Sequence, residues 1–379
     1  MAGIYIHIPF CKKACHYCDF HFSTNLDNRA EMLKAILQEA KLRKDYLATK
    51  KVNTIYFGGG TPSLLNRDEI KTVIDRMREL FEVTEDAEIT LEANPDDLTS
   101  LAVLQDYRSA GINRLSIGIQ SFYDEHLTWM NRAHNAAQAE SSVKLAQEAG
   151  FDNITVDLIY GIPNMTNEQW LTNLDKALAL NIQHLSAYCL TVEERTVLHK
   201  MMKEGKAKEA PDDDVEWQVD TLVDKLEEKG IERYEISNFA IPGKESRHNS
   251  AYWEGAWYLG LGPSAHSFNG SSREWNVSNN AIYIKQVAQG EGIADTEPID
   301  ETTAYNEYIM TRLRTSKGIN LQEVKKQFAI DLKVDFEEEI AFMIEDEEAT
   351  LEDGVLKLTH LGRFFADGLA ASLFLEQGE

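Results

Sequence analysis

The chain has 379 residues, 43% of them hydrophobic, which is enough for one large domain with a smaller one beside it. A formal net charge of -25 disfavours a role that grips a phosphate backbone, because such contacts need clustered Lys and Arg. Only four cysteines and no long apolar run exclude a disulfide scaffold and a helical membrane span.

In chain order, the first element is a β-branched strand, Ile4 to Ile8, ending at Pro9. It begins almost at Met1 with no basic n-region or apolar h-region, so no signal peptide is expected and the protein is expected to be soluble and cytoplasmic. An amphipathic stretch from Arg29 to Leu47 follows, with Leu33, Ile36, Leu37 and Ala40 on one face. Further strands are predicted at Val52–Phe57, Glu88–Glu92, Asn113–Gly118, Ile154–Ile159 and His184–Cys189. Helical patterns lie between them at Asp68–Phe81, Thr99–Ala110, Ala136–Ala149 and Glu168–Leu180. This alternation predicts an α/β fold with a parallel sheet and right-handed crossovers. Six repeats suggest a partial (β/α)6 barrel over a flat dinucleotide-binding sheet, although alternation alone does not separate the two.

Beyond the repeats, Asp213–Lys229 reads as a helix and 269–298 as a connecting arm. Helices are predicted at Thr302–Thr315, Leu321–Phe328, Asp335–Ile344 and Thr359–Leu373, with an Asp-Gly hairpin over Thr350–Leu358. That pattern predicts a small, mainly helical, winged-helix-like C-terminal domain. Its excess of acids makes packing or partner docking a better role than DNA reading. The expected division is 1–240, 241–297 and 298–379.

Three of the four cysteines, Cys11, Cys15 and Cys18, stand just past the first strand with spacing C-x3-C-x2-C. A disulfide-linked loop would leave one unpaired. A structural zinc site takes four ligands, and His16, wedged between Cys15 and Cys18, would have to fold back to be the fourth. Three thiolates suit a cubane [4Fe-4S] cluster with one iron left open. Other polar residues fall at the same strand ends: Gly58-Gly59-Gly60-Thr61-Pro62, Glu92, Gln120, Arg132 and Asp157. Each alone is commonly a turn or a salt-bridged side chain. Grouped on the face where barrels place chemistry, they suit chelation of S-adenosylmethionine. The glycine loop offers backbone without side chains. Arg132 suits a carboxylate, and Glu92 and Asp157 suit an ammonium and ribose hydroxyls.

The cysteine triad, with Tyr5-Ile6-His7-Ile8-Pro9-Phe10, Gly58 to Ser63, Ser116 to Phe122 and Asp157 to Pro163, resembles the radical S-adenosylmethionine proteins of the oxygen-independent coproporphyrinogen oxidase group. The resemblance covers most of the chain. It implies the six-repeat partial barrel, a cluster on Cys11, Cys15 and Cys18, and S-adenosylmethionine contacts from Tyr5, Tyr17, Gly59, Gly60, Thr61, Glu92, Gln120, Arg132 and Asp157. Catalytic members carry a further cysteine two positions after the third, where this chain has Phe20, and an extension before the first strand. Both departures point to the heme-chaperone branch of the group and away from decarboxylation. The words Arg247-His248-Asn249-Ser250-Ala251-Tyr252-Trp253 and Gly260 to Phe268 resemble that branch too. Histidine is a common axial ligand of heme, so His248 is a candidate, beside His266 and a purely structural role for these aromatics.

The resemblance thus implies a protein that binds heme and passes it to heme-accepting proteins, a membrane-bound acceptor among the possibilities. It also implies an electron donor such as flavodoxin or ferredoxin, and a monomer or homodimer. The alternatives are an anaerobic coproporphyrinogen III dehydrogenase and a tRNA-modifying radical enzyme. Cys189, in a predicted strand, is a weak candidate for covalent heme attachment.

Overall fold

In the computed structural model, which describes residues 2–376, the first six strands are β1 (Ala2–Ile8), β2 (Lys51–Gly59), β3 (Glu82–Ala93), β4 (Arg114–Gln120), β5 (Ile154–Tyr160) and β6 (His184–Cys189). They lie side by side in chain order, all parallel. Strands β1 and β4 are buried almost end to end, as apolar runs covered on both faces should be.

The crossover helices sit where periodicity puts them, and their ends follow from local chemistry. Helix Arg67–Leu80 presents Ile70, Val73, Ile74 and Met77 to the sheet. It starts with a capping box in which Asn66 accepts from the Glu69 amide while the Glu69 carboxylate accepts from the Asn66 amide. Capping boxes also open Ala136–Glu148, at Asn135, and Asn167–Ala179, at Thr166. Helix Leu101–Ala110 stops at Gly111, whose φ of 112° is left-handed.

The sheet does not close. Past β6 it is continued by the antiparallel pair β7 (Glu232–Arg233) and β8 (Asn238–Ala240). On the other side β9 (Trp257–Leu261) adds parallel to β1, followed by β10 (His266–Phe268), β11 (Ser272–Asn276) and β12 (Ala294–Pro298). The result is an open sheet of 12 strands with β12 and β7 at its edges. The stretch 269–298, expected as a connecting arm, therefore gives two strands to the sheet with the helix Asn280–Gln289 between them. Strand β11 is half buried and β12 is mostly exposed, so they lack the apolar alternation by which a strand is read from sequence.

The added strands are pinned to the parallel strands and their first crossover helix through one buried carboxylate. Glu39, on helix Arg29–Leu42, accepts from the Gly262 amide at 2.8 Å and the Asn276 side chain at 2.7 Å, and it pairs with Arg43 at 3.2 Å. Tyr283 donates to the same carboxylate at 2.5 Å. A buried charge is tolerated only with such a complete set of partners.

The C-terminal part has its own core around Tyr305, Ile309, Leu313, Val324, Leu332 and Leu356. Helices Glu301–Leu313, Leu321–Phe328 and Glu337–Glu345 pack beside a three-stranded sheet of β13 (Ile319–Asn320), β14 (Ala349–Glu352) and β15 (Val355–Leu358). Asp353 and Gly354, both at positive φ, make the expected tight hairpin between β14 and β15. The helix expected over Thr359–Leu373 is shorter: a 3-10 turn at Gly362–Phe365 and one short helix, Ala366–Ala371. Among the described residues no helix is long and apolar enough to cross a membrane.

Candidate functional site

The loop after β1 is tied at its neck, where the Cys11 amide donates to the Ser23 carbonyl at 3.0 Å and Ser23 returns a bond to Pro9 at 2.9 Å. Lys12 anchors the loop to Asp96 at 2.7 Å and to Asp97. His16 is turned away from the cysteines. Its Nδ1 meets the Trp129 carbonyl at 2.7 Å, and its amide donates to Met130 at 3.1 Å. That removes the histidine a zinc site would have needed. The three cysteines are unpaired thiols facing one cavity of about 580 Å3. Among the described residues, no three His, Cys, Asp or Glu side chains converge tightly enough for a single metal ion.

The donor set fits an iron–sulfur cluster. Two thiols already receive hydrogen-bond donors of the kind that stabilise cluster sulfur: Thr61 Oγ1 lies 3.4 Å from Cys11 Sγ, and Arg132 Nη1 lies 3.5 Å from Cys15 Sγ. Burial pushes the Cys11 and Cys18 thiols up to about 11 and about 12. Burial thus favours the neutral thiols, and binding any cationic group there would be coupled to proton release.

Around the thiols the strand ends form a polar cradle. Gly59 has φ of +104°, and a Cβ there would sit 2.5 Å from the His7 ring. A Cβ on Gly60 would meet the Phe10 carbonyl oxygen at 2.7 Å, so the backbone approaches as only glycine allows. Glu92 accepts from the Gly59 amide at 3.1 Å and from the Tyr56 hydroxyl at 2.8 Å. Burial, with Asp157 adding to it, pushes the Glu92 carboxyl up to about 7. Burial likewise raises Asp157 to about 6, against the hydrogen bonds from serine hydroxyls that favour its charge. Arg132 donates to the Asn94 side chain at 2.7 Å and the Gly118 carbonyl at 2.6 Å, and its Nη1 is 3.5 Å from the Tyr17 hydroxyl. Two buried polar atoms, Arg132 Nε and Gln120 Oε1, have no protein partner. Left unpaired such atoms are costly, and a polar ligand would satisfy them.

Cys11, Cys15, Cys18, Tyr17, Gly59, Gly60, Thr61, Glu92, Gln120, Arg132 and Asp157 all line this one cavity. Tyr5, His248 and its alternative His266 do not. Tyr5 and His266 line a second, larger cavity, with the Tyr5 hydroxyl 3.2 Å from His7 Nδ1. His248 lines neither cavity. It is buried between Thr54 Oγ1, 2.8 Å from its Nδ1, and the Tyr252 hydroxyl, 2.8 Å from its Nε2. In this arrangement neither ring nitrogen is free for iron, and burial holds the imidazole neutral, at about 3. The reason is positional: the helix Arg247–Trp253 packs against β2, turning His248 inward.

Asn94, Gly118 and Tyr188 belong to the site and are missing from the sequence-based set. Asn94 follows Glu92 by two residues at the same strand end, a signal that periodicity would have supplied. A Cβ on Gly118 would sit 3.0 Å from Gln120 Nε2 and 3.2 Å from Arg132 Nη2, so a larger residue would press on both side chains.

Residues 5–177 match the radical SAM superfamily, and residues 299–365 match the HemN C-terminal domain. The heme chaperone HemW of Bacillus subtilis is 33% identical over 97% of both chains. That of Mycobacterium tuberculosis H37Rv is 34% identical over 98% of this chain and 94% of the relative, and that of Escherichia coli 37% identical over 70% and 69%. The Escherichia coli coproporphyrinogen III oxidase HemN superposes with a TM-score of 0.84 over 98% of this chain and 90% of its own, at 24% identity, which establishes a shared fold. An open radical SAM sheet, a HemN-type C-terminal domain and full-length identity to HemW proteins agree: the chain belongs to the HemW family.

Proposed function

We propose that this protein is a heme chaperone, binding heme and handing it to heme-accepting proteins, with a [4Fe-4S] cluster and S-adenosylmethionine as its resident cofactors. The observation that carries this reading is the match across 97% of the chain to a relative named as a heme chaperone. Phe20 supports it. It is 68% exposed and stands where the catalytic branch carries its extra cysteine, so the thiol of that branch is not present at this position.

Cys11, Cys15 and Cys18 would hold the cluster, which supplies an open iron and a route for one-electron reduction. The other residues act by position. Gly59 and Gly60 leave room at the loop, Glu92 attracts an ammonium, and Arg132 pairs with a carboxylate. Asp157 accepts from ribose hydroxyls, while Tyr17 and Gln120 close the polar wall. The Arg132 and Thr61 donors stabilise charge on the sulfurs. An electron donor such as flavodoxin or ferredoxin would reduce the cluster, and a membrane-bound heme protein is one candidate acceptor. Tyr5, outside the cavity, contributes by stacking on Tyr56 at 6.1 Å, which holds the tyrosine that donates to Glu92.

The shared fold with coproporphyrinogen III oxidase favours one rival, the decarboxylase. Anaerobically reconstituted protein, supplied with S-adenosylmethionine and a reductant, separates the two. The chaperone reading expects a Soret shift on adding heme and no protoporphyrinogen from coproporphyrinogen. Formation of protoporphyrinogen with no heme binding would replace it by the decarboxylase.

A further inference from the structure

With both ring nitrogens of His248 occupied, the porphyrin needs another seat. The second cavity, of about 900 Å3, lies between the β9–β10 side of the sheet and helix Glu301–Leu313. Its volume falls in the range of about 300–1,000 Å3 typical of cavities that bury flat, drug-sized and cofactor-sized ligands. Its walls are aromatic: Trp257 and Tyr258 from β9, Phe268 from β10 and Tyr308 from the C-terminal helix. Flat apolar faces of this kind pack against a porphyrin plane.

Three histidines reach this cavity, and their ring nitrogens differ. His7 is committed on both sides, to the Tyr5 hydroxyl at 3.2 Å and the His21 carbonyl at 2.8 Å. His21 spends its Nε2 on Asn280 Oδ1 at 2.8 Å. His266 is exposed to the cavity and, among the described residues, makes no side-chain hydrogen bond. Partial burial and the nearby Arg273 lower its pKa from the ordinary histidine value, which favours the neutral form that binds iron.

Charge in the cavity points the same way. Of its three acids, Glu307 is paired with Arg273 at 2.7 Å and Glu254 with Lys317, while Asp19, on the loop side, makes no ion pair among the described residues. Arg312 makes no ion pair among the described residues and lies 5.4 Å over the Tyr308 ring. It is a guanidinium on an aromatic platform, beside the Tyr308 hydroxyl and without a carboxylate partner among the described residues.

We propose that heme is carried in this second cavity, with His266 as the iron ligand and Arg312 as the partner of a propionate. The inference rests on the heme-carrier reading and adds the site to it. Asp19 and Phe20 line both cavities, so the loop that follows Cys18 is a common wall between cluster and heme.

The test is a hemin titration of the full-length, cluster-reconstituted protein followed by its Soret band, for wild type, His266→Ala, His266→Met and Arg312→Gln. Iron protoporphyrin dimethyl ester serves as a second probe. His266→Ala is expected to lose the histidine-ligated spectrum and weaken hemin binding tenfold or more. His266→Met restores affinity with a shifted spectrum, which a merely structural histidine would not do. Arg312→Gln weakens hemin several-fold and leaves the ester, which lacks the propionate charges, unaffected. If wild type binds hemin and His266→Ala keeps both spectrum and affinity, the site is overturned and the carrier reading stands. If wild type shows no Soret change, both fall.

Discussion

Replacing Glu92 by glutamine should stabilise the protein without its ligand and weaken S-adenosylmethionine binding. The carboxyl is buried and pushed from its ordinary 4.5 up to about 7, chiefly by desolvation with Asp157 adding to it. Its ionised form is therefore disfavoured in the folded chain, a penalty absent below the unfolded value and complete above 7. At about 1.4 kcal/mol per pH unit, that penalty approaches about 3 kcal/mol above pH 7. Glutamine keeps the Gly59 bond through its oxygen and reverses the Tyr56 bond, its amide donating to the hydroxyl that in wild type donates to Glu92. The expected gain of about 1–3 kcal/mol for Glu92→Gln at pH 8 should shrink as pH falls through 7 and vanish near pH 4.5. Denaturant unfolding of cluster-free protein, repeated between pH 5 and pH 8, measures it. In calorimetric titration, losing a charge-assisted bond to the ammonium, worth about 1.5–3 kcal/mol, should weaken S-adenosylmethionine about 10- to 100-fold. A variant less stable than wild type at pH 8, or a difference that does not change with pH, would refute the reasoning.

Three further outcomes follow from the same geometry. Wild-type affinity for S-adenosylmethionine should rise as pH climbs through about 6 and about 7, where Asp157 and Glu92 ionise, and level off above; a flat titration profile would remove both carboxylates from the site. Gly60→Ala should cost about 1–3 kcal/mol and at least tenfold in S-adenosylmethionine affinity, because the new methyl meets backbone atoms of Ile8 and Phe10 that cannot move aside; a thermal melt and a titration indistinguishable from wild type would contradict it. His248→Ala should destabilise by about 2–4 kcal/mol, leaving Thr54 and Tyr252 hydroxyls unpaired around a void. The surviving folded protein should bind hemin within about threefold of wild type, and a lost Soret band with unchanged stability would restore His248 as ligand.

The parallel strands and the cluster loop were legible because their signals are local: β-branched runs, cap residues and cysteine spacing. Most of the strand-end residues could be placed together for the same reason, since strand–helix alternation puts every loop on one rim. Legibility failed where position depends on packing. Strands β11 and β12 are held by backbone pairing at an exposed edge, so no hydrophobic pattern marks them. The motif around His248 reads as a ligand word, yet the chain turns that ring inward against Thr54, a residue 194 positions away. Nothing in sequence distance foretells such a contact. Tyr5 shows the same limit: β-strand alternation assigns its side chain to one face of β1, but which cavity that face lines depends on where β9 docks.

The central claim is carriage of heme, and transfer tests it most directly. Cluster-reconstituted protein loaded with one equivalent of heme is mixed with an apo-hemoprotein, and the Soret bands of donor and acceptor are followed together. The account predicts that heme loads, then moves to the acceptor faster than free heme does, with total heme conserved. Failure to load, or an acceptor that fills no faster than from free heme, would contradict it.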